Sequence, residues 1–141
     1  MLTDADPDII QAYREQASLY REAMRILLQR EAVQAAAFVA LQAVRSAASY
    51  TLASLTGQVI GDEDTVAALW QALPKLRSLA VLQTGADVLA RHDDLTLYAY
   101  DVSAVEAHEM ADAADTFCTW ALAVVPAAAD IASARIQSRS T

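Results

Sequence analysis

Residues that interrupt helices are scarce in this chain: three glycines and three prolines serve 141 positions, while 32 positions are alanine. A β-sandwich or barrel needs frequent tight turns, and glycine and proline supply most of them. Alanine is the best helix former and a poor strand former. The backbone must therefore find its hydrogen bonds inside helices. The length suits one domain with a single core. An apolar share of 55% beside a charged share of 20% is that of a globular protein and excludes a disordered chain.

The periodicity predicts an antiparallel bundle of four to five helices. Asp6-Pro7-Asp8 reads as a helix start, with a capping acid, a proline in the first turn and a second acid near the positive helix end. Ile9, Tyr13, Tyr20, Met24 and Leu27 follow at helical spacing, with Ala17 and Ala23 on or beside that stripe. Glu15, Arg21, Glu22 and Arg25 fall on the wet face. Nothing near Arg30 breaks the helix, so it ends in a short turn or bends into the next. The second helix spans Glu31 to Thr56 and is apolar nearly all round, through Val33, Ala37, Ala40, Val44, Ala47 and Leu52, widened by Phe38, Leu41 and Leu55. Such a helix is central. Gly57 suits a left-handed cap.

A short third helix is predicted over 64–73. A fourth runs to about Arg91, with Pro74 at their junction and Gly85 inside it. Residues 92–102 show no helical period and read as a loop. Ser103-Ala104-Val105-Glu106 matches a capping box opening the last main helix, which carries Val105, Met110, Ala113, Phe117, Trp120 and Val124. Pro126 is expected to end or kink that helix, with one more short helix to Arg135. Residues 1–136 form the domain and 137–141 a disordered tail. A single chain of this size has trouble covering its second helix on every side. A homodimer through a helix face, drawn from the first two helices, is the expected solution.

Eighteen acidic residues face ten basic ones, a net charge of −8, and Lys75 is the lone lysine among nine arginines. An acidic surface repels phosphate backbones and anionic lipid, which argues against DNA coating and polybasic membrane contact. A local arginine cluster can still meet RNA or a nucleotide. Cys118 is the single cysteine, so no intramolecular disulfide forms; between Phe117 and Trp120 it reads as a core residue. The acidic start carries no signal-peptide pattern, and the most apolar stretches, 32–56 and 117–134, are interrupted by polar residues or proline. A cytoplasmic, bacterial protein without a membrane span is expected.

Few groups carry chemistry. Glu106, His108, Glu109 and Asp112 gather on one helix, but the glutamate-to-histidine spacing is two rather than the three of di-iron bundles, and two histidines and one cysteine are too few for zinc. No metal is expected, and three isolated glycines make no phosphate loop, so no cofactor is expected. Arg45 lies in the most apolar helix with Gln42, Ser46 and Ser49 on adjacent turns. A buried guanidinium needs partners, so it either snorkels to the helix edge or lines a polar cleft. The segment from Arg91 to Asp101 is the densest group of able side chains. Arg91 can hold a phosphate in two hydrogen bonds, His92 can pass protons near neutrality, and Asp94, Tyr98 and Tyr100 are candidate binding groups. The same segment also reads as an ordinary connection with tyrosines packed on the bundle.

The order of these features resembles the HEPN family of small bacterial helical bundles. The likeness is carried by Leu27–Ala53 with its Gln42-Ala43-Val44, by residues 64–73, and by 89–118 with Arg91, Tyr100-Asp101, Ser103 and Phe117. The resemblance implies a dimer with an Arg-x(4–6)-His pair in a cleft at the dimer axis, acting on RNA in some members and pairing with a minimal nucleotidyltransferase in toxin–antitoxin modules in others. Arg91 matches the motif arginine and Tyr100 the tyrosine that follows the motif. Six residues beyond Arg91 stands Tyr98, so the motif histidine is absent, and tyrosine is a poor base near neutrality. The resemblance therefore implies a binding or regulatory partner of a nucleotide, RNA or a nucleotidyltransferase in a toxin–antitoxin-like or stress-response pair. The alternatives are a metal-independent endoribonuclease using Arg91 and His92, and an adaptor bundle with no ligand.

Overall fold

A computed structural model of the chain describes residues 2–4, 6–60, 80–91 and 102–139. Helix α1 spans Pro7–Gln29, α2 Val33–Thr56, α3 Ala80–Leu89 and α4 Ala104–Arg139. Two three-residue strands, β1 (Leu2–Asp4) and β2 (Gln58–Ile60), pair antiparallel and tie the first residues to the end of α2. The sequence reading had no place for this ribbon, and three residues a side do not make a layer. The described residues are otherwise helical, as the composition requires. The expected short helix over 64–73 and Pro74 lie outside the described residues, and α3 falls within the expected fourth helix.

The caps explain the boundaries. Asp6 accepts a hydrogen bond from the Ile9 amide at 2.9 Å, with Pro7 in the first turn. Gly57 closes α2 at φ 72°, its N–H bonded to the Ala53 carbonyl at 3.0 Å. Between α1 and α2 the chain turns on Arg30, Glu31 and Ala32. The Ala32 N–H bonds to Leu27 O at 2.9 Å and the Glu31 N–H to Leu28 O at 3.0 Å, the paired bonds of a Schellman motif. That motif puts the residue after the cap in the left-handed region, and here it is a glutamate at φ 59°. The short turn foreseen near Arg30 is thus built without glycine.

Successive helices run antiparallel. Arg14 and Arg21 of α1 meet Leu122 and Asp115 of α4, so the residue numbers run in opposite directions. Gly85 and Arg91, in α3 and just beyond it, meet Phe117 and Glu106 of α4 in the same opposed sense. Helix α2 packs against α1 and α4, and its buried residues, among them Ala36, Leu41, Ala43, Ala48, Leu52 and Ala53, take up most of its circumference, while Phe38 is exposed and Gln42, Arg45 and Ser49 are half-buried on the remaining side. The buried Thr51 hydroxyl donates to the Ala47 carbonyl at 2.8 Å. One chain therefore covers most of α2 and leaves the side of Phe38 open.

Several details depart from the expected pattern. The α1 stripe is rotated by one position at each end: Ile10 and Leu28, rather than Ile9 and Leu27, join Tyr13, Ala17, Tyr20 and Met24 against the core. Phe38 and Val105, expected on the apolar sides of their helices, are exposed. Helix α4 neither ends nor restarts at Pro126; it is assigned as one helix to Arg139, three residues into the expected tail. A proline inside a helix lacks the N–H that would bond the carbonyl four residues back, which here is that of Leu122. Arg14 Nη2 of α1 reaches that carbonyl at 3.5 Å. An outside donor replaces the missing one, and the alanine-rich continuation 127–134 favours helix on the far side.

Gly85 has a packing reason. A Cβ there would lie 2.5 Å from the buried Phe117 ring, whose other face tilts against Trp120 with ring centroids 5.9 Å apart. Gly85→Ala should lower stability by about 1–2 kcal/mol, since overpacking outweighs the gain in helix propensity; chemical denaturation measures it, and a stabilised variant would refute the close approach. Glu31→Gly should raise stability by about 1 kcal/mol by relieving the left-handed backbone, visible as a higher Tm.

Candidate functional site

The ends of the segment that carries His92, Asp94, Tyr98 and Tyr100 are held together. Residues 92–101 themselves, with these four candidates, lie outside the described residues. On one side, α3 closes with the Arg91 N–H bonded to Val88 O at 3.2 Å. On the other, the Val102 N–H donates to Gln34 Oε1 at 2.9 Å, tying the approach of α4 to the first turn of α2. Ser103 then caps α4: its Oγ accepts from the Glu106 N–H at 3.1 Å and its hydroxyl donates to Glu106 Oε1 at 3.3 Å. The serine cap legible in the sequence is present, with Glu106 returning to the Ser103 hydroxyl.

Glu106 does more than cap. Its Oε2 accepts from Arg91 Nη1 at 2.5 Å, joining α3 to α4 across the base of the segment 92–101. A carboxylate in the first turn of a helix is also favoured by the helix dipole. The arginine singled out for phosphate binding thus stands beside a carboxylate that offsets its charge. A guanidinium has five N–H donors and this contact engages one of them, so hydrogen bonding to a ligand is compatible with the pair, whereas an undivided positive charge is not on offer. The sequence reading saw Glu106 as a cap and a weak metal candidate and missed it as the partner of Arg91. The fifteen-residue separation gave no local spacing to read.

Arg45 belongs to a different level of the bundle. It is half-buried on α2 next to the buried Ser46, eleven residues beyond Gln34, which is about 16 Å along a helix axis. The structure does not gather Arg45 and Arg91 into one pocket. His108 is exposed, its Nδ1 2.8 Å from the Ala104 carbonyl of its own helix. Among the described residues no group of three or more His, Cys, Asp or Glu is placed to hold a metal, and no described helix is long and apolar enough to cross a membrane. Cys118 is buried, its Sγ 3.6 Å from Ala43 O, and burial pushes the thiol up to about 12. A thiol so rarely ionised at neutrality is not a nucleophile.

A second polar cluster went unread. Arg21 Nε and Arg25 Nη2, assigned to the wet face of α1, both donate to Asp115 Oδ1 of α4, at 2.6 and 2.9 Å. Partial burial pushes the Asp115 carboxyl up, but the hydrogen bonds and charges of Arg21 and Arg25 outweigh it and hold the group below its ordinary value of 3.8. Arg14, one further level along the same seam, keeps a buried Nε with no hydrogen-bond partner among the described residues. The cluster clips α1 to α4.

No family model, curated protein or solved structure matches the chain. What the geometry defines by itself is an all-α helical bundle in which Arg91, at the end of α3, pairs with Glu106 in the first turn of α4.

The Asp115 clip sets a pH dependence. A carboxyl lowered by folding adds stability above its unfolded value and loses it as the pH falls through the folded one. Asp115→Asn should cost about 1 kcal/mol at neutrality, given the partial exposure of the pair. The gap from the parent should close below about pH 4. Thermal melts across pH would show it; a constant gap down to pH 2 would refute the assignment.

Proposed function

We propose that the protein is a HEPN-like bundle that binds a nucleotide or RNA, or a nucleotidyltransferase partner, as a regulatory component rather than as an efficient nuclease. The pairing of Arg91 with Glu106 carries this reading. Cleavage without a metal needs a cation that meets the charge developing on phosphorus and a base that ionises near neutrality. Arg91 shares its charge with a carboxylate, and the position expected for the motif histidine holds Tyr98. Recognition asks less: the remaining guanidinium donors suffice for hydrogen bonds to phosphate or to a polar protein surface. The residues that flank 92–101 support the reading, because Arg91 and Val102 are tied to packed helices by Glu106 and Gln34.

The purified protein, incubated with total and transfer RNA in EDTA, should leave both intact. Titration with nucleotides and short RNA should show binding that Arg91→Ala weakens about tenfold or more, the worth of a charged hydrogen bond. Metal-independent cleavage that disappears in Arg91→Ala and in His92→Ala would overturn the reading in favour of an endoribonuclease. Absence of both binding and cleavage, with no association with a nucleotidyltransferase, would leave an adaptor bundle.

A further inference from the structure

Helix α1 carries a second, largely apolar stripe, interrupted by the exposed Gln16 and distinct from the one that faces the core. Ile9, Ala12, Gln16, Leu19, Ala23 and Ile26 recur at alternating spacings of three and four, the a and d positions of a heptad. Leu19 is 69% exposed, Ile26 42% and Ile9 37%. One flank of the stripe runs into the half-buried Tyr13, Tyr20 and Leu27. The other is a row of exposed carboxylates, Asp8, Glu15 and Glu22, seven residues apart.

That acidic row has no ion-pair partner among the described residues. No basic residue lies three or four positions from Asp8 or Glu15. The only one so placed for Glu22 is Arg25, and its guanidinium is turned away to Asp115 on α4. The folded chain therefore presents a largely apolar seam long enough for more than two heptads, bordered by carboxylates that have no ion-pair partner among the described residues, although Gln11 donates to Glu15 at 3.2 Å and Asp8 lies in the first turn of the helix. The charge decides what fits it. A second copy crossing antiparallel would set Glu15 against Glu15 and Asp8 against Glu22, on two chains that each carry a net charge of −8. A helix with lysine or arginine along one edge would gain the apolar contact and the charge pairing together.

We propose that α1 is a docking surface for a basic amphipathic helix of a different protein. That helix lays its apolar side along Ile9, Leu19 and Ile26 and its cationic edge along Asp8, Glu15 and Glu22. The surface is separate from Arg91 and does not depend on the function proposed for that residue.

The test uses the full chain and two synthetic amphipathic helices, both with leucine at a and d, one with lysine and the other with glutamate at e and g. The lysine helix should bind, and the glutamate helix should not. Leu19→Asp should weaken binding of the lysine helix at least tenfold with little change in Tm, because the side chain is exposed. A Glu15→Lys, Glu22→Lys double variant should reverse the preference between the two helices, which general attraction to an acidic protein would not do. Binding of the lysine helix unaffected by Leu19→Asp, indifference to peptide charge, or no binding at all would overturn the proposal. So would a stable dimer in sedimentation that Leu19→Asp dissolves, since that would give the seam to a second copy.

Discussion

How near the axis of α2 can come to those of α1 and α4 determines where everything else in the molecule sits. Alanine sets that distance. A buried alanine adds only a methyl group's worth of hydrophobic free energy, so stability is gathered over many close contacts rather than a few large ones. The larger fully buried side chains, Met24, Leu41, Val44, Val88 and Phe117, fill what the close approach leaves. Gly85 extends the same logic to α3, where even a methyl group would strike Phe117. Dense packing of this kind tolerates little added volume.

Polar contacts then fix register, a task for which small apolar side chains are poorly suited. Asp115 receives two arginines of α1, and Arg14 supplies a donor to the carbonyl that Pro126 leaves without one. These contacts lie along one seam, at successive levels of an antiparallel pair. At the opposite side of α4, Glu106 joins its own cap to Arg91. Helix α4 is thus held sideways by charge on two faces while its alanines settle against α2. Its unbroken passage through Pro126 is a tertiary effect, in which a guanidinium from another helix supplies what the local sequence withholds.

Much of the architecture was legible in the sequence because its signals are local. Asp6 with Pro7, Gly57, and Ser103 with Glu106 marked helix boundaries through contacts spanning a few residues, and each contact is present. The burial of most of α2 followed from a pattern apolar nearly all round, interrupted by Gln42, Arg45 and Ser49. What could not be read depends on partners far apart in the chain. Nothing near Arg21 announces Asp115, nothing near Arg91 announces Glu106, and the carbonyl freed by Pro126 finds its donor more than a hundred residues away. The Schellman turn at Glu31 escaped for a different reason, because it uses a backbone conformation that glutamate seldom adopts. Of the six candidate site residues, Arg91 and Arg45 have a described position and stand at different levels of the bundle. His92, Asp94, Tyr98 and Tyr100 lie within 92–101.

The seclusion of Cys118 has a practical consequence. A thiol enclosed by α2 and α4 and held protonated reacts slowly with maleimides and other alkylating dyes, which need the thiolate and room to reach it. A cysteine introduced on the outside of the bundle would then take up nearly all of a probe while the native thiol stays in place. Spin labels or fluorophores can report on movements of single helices in the otherwise unaltered chain.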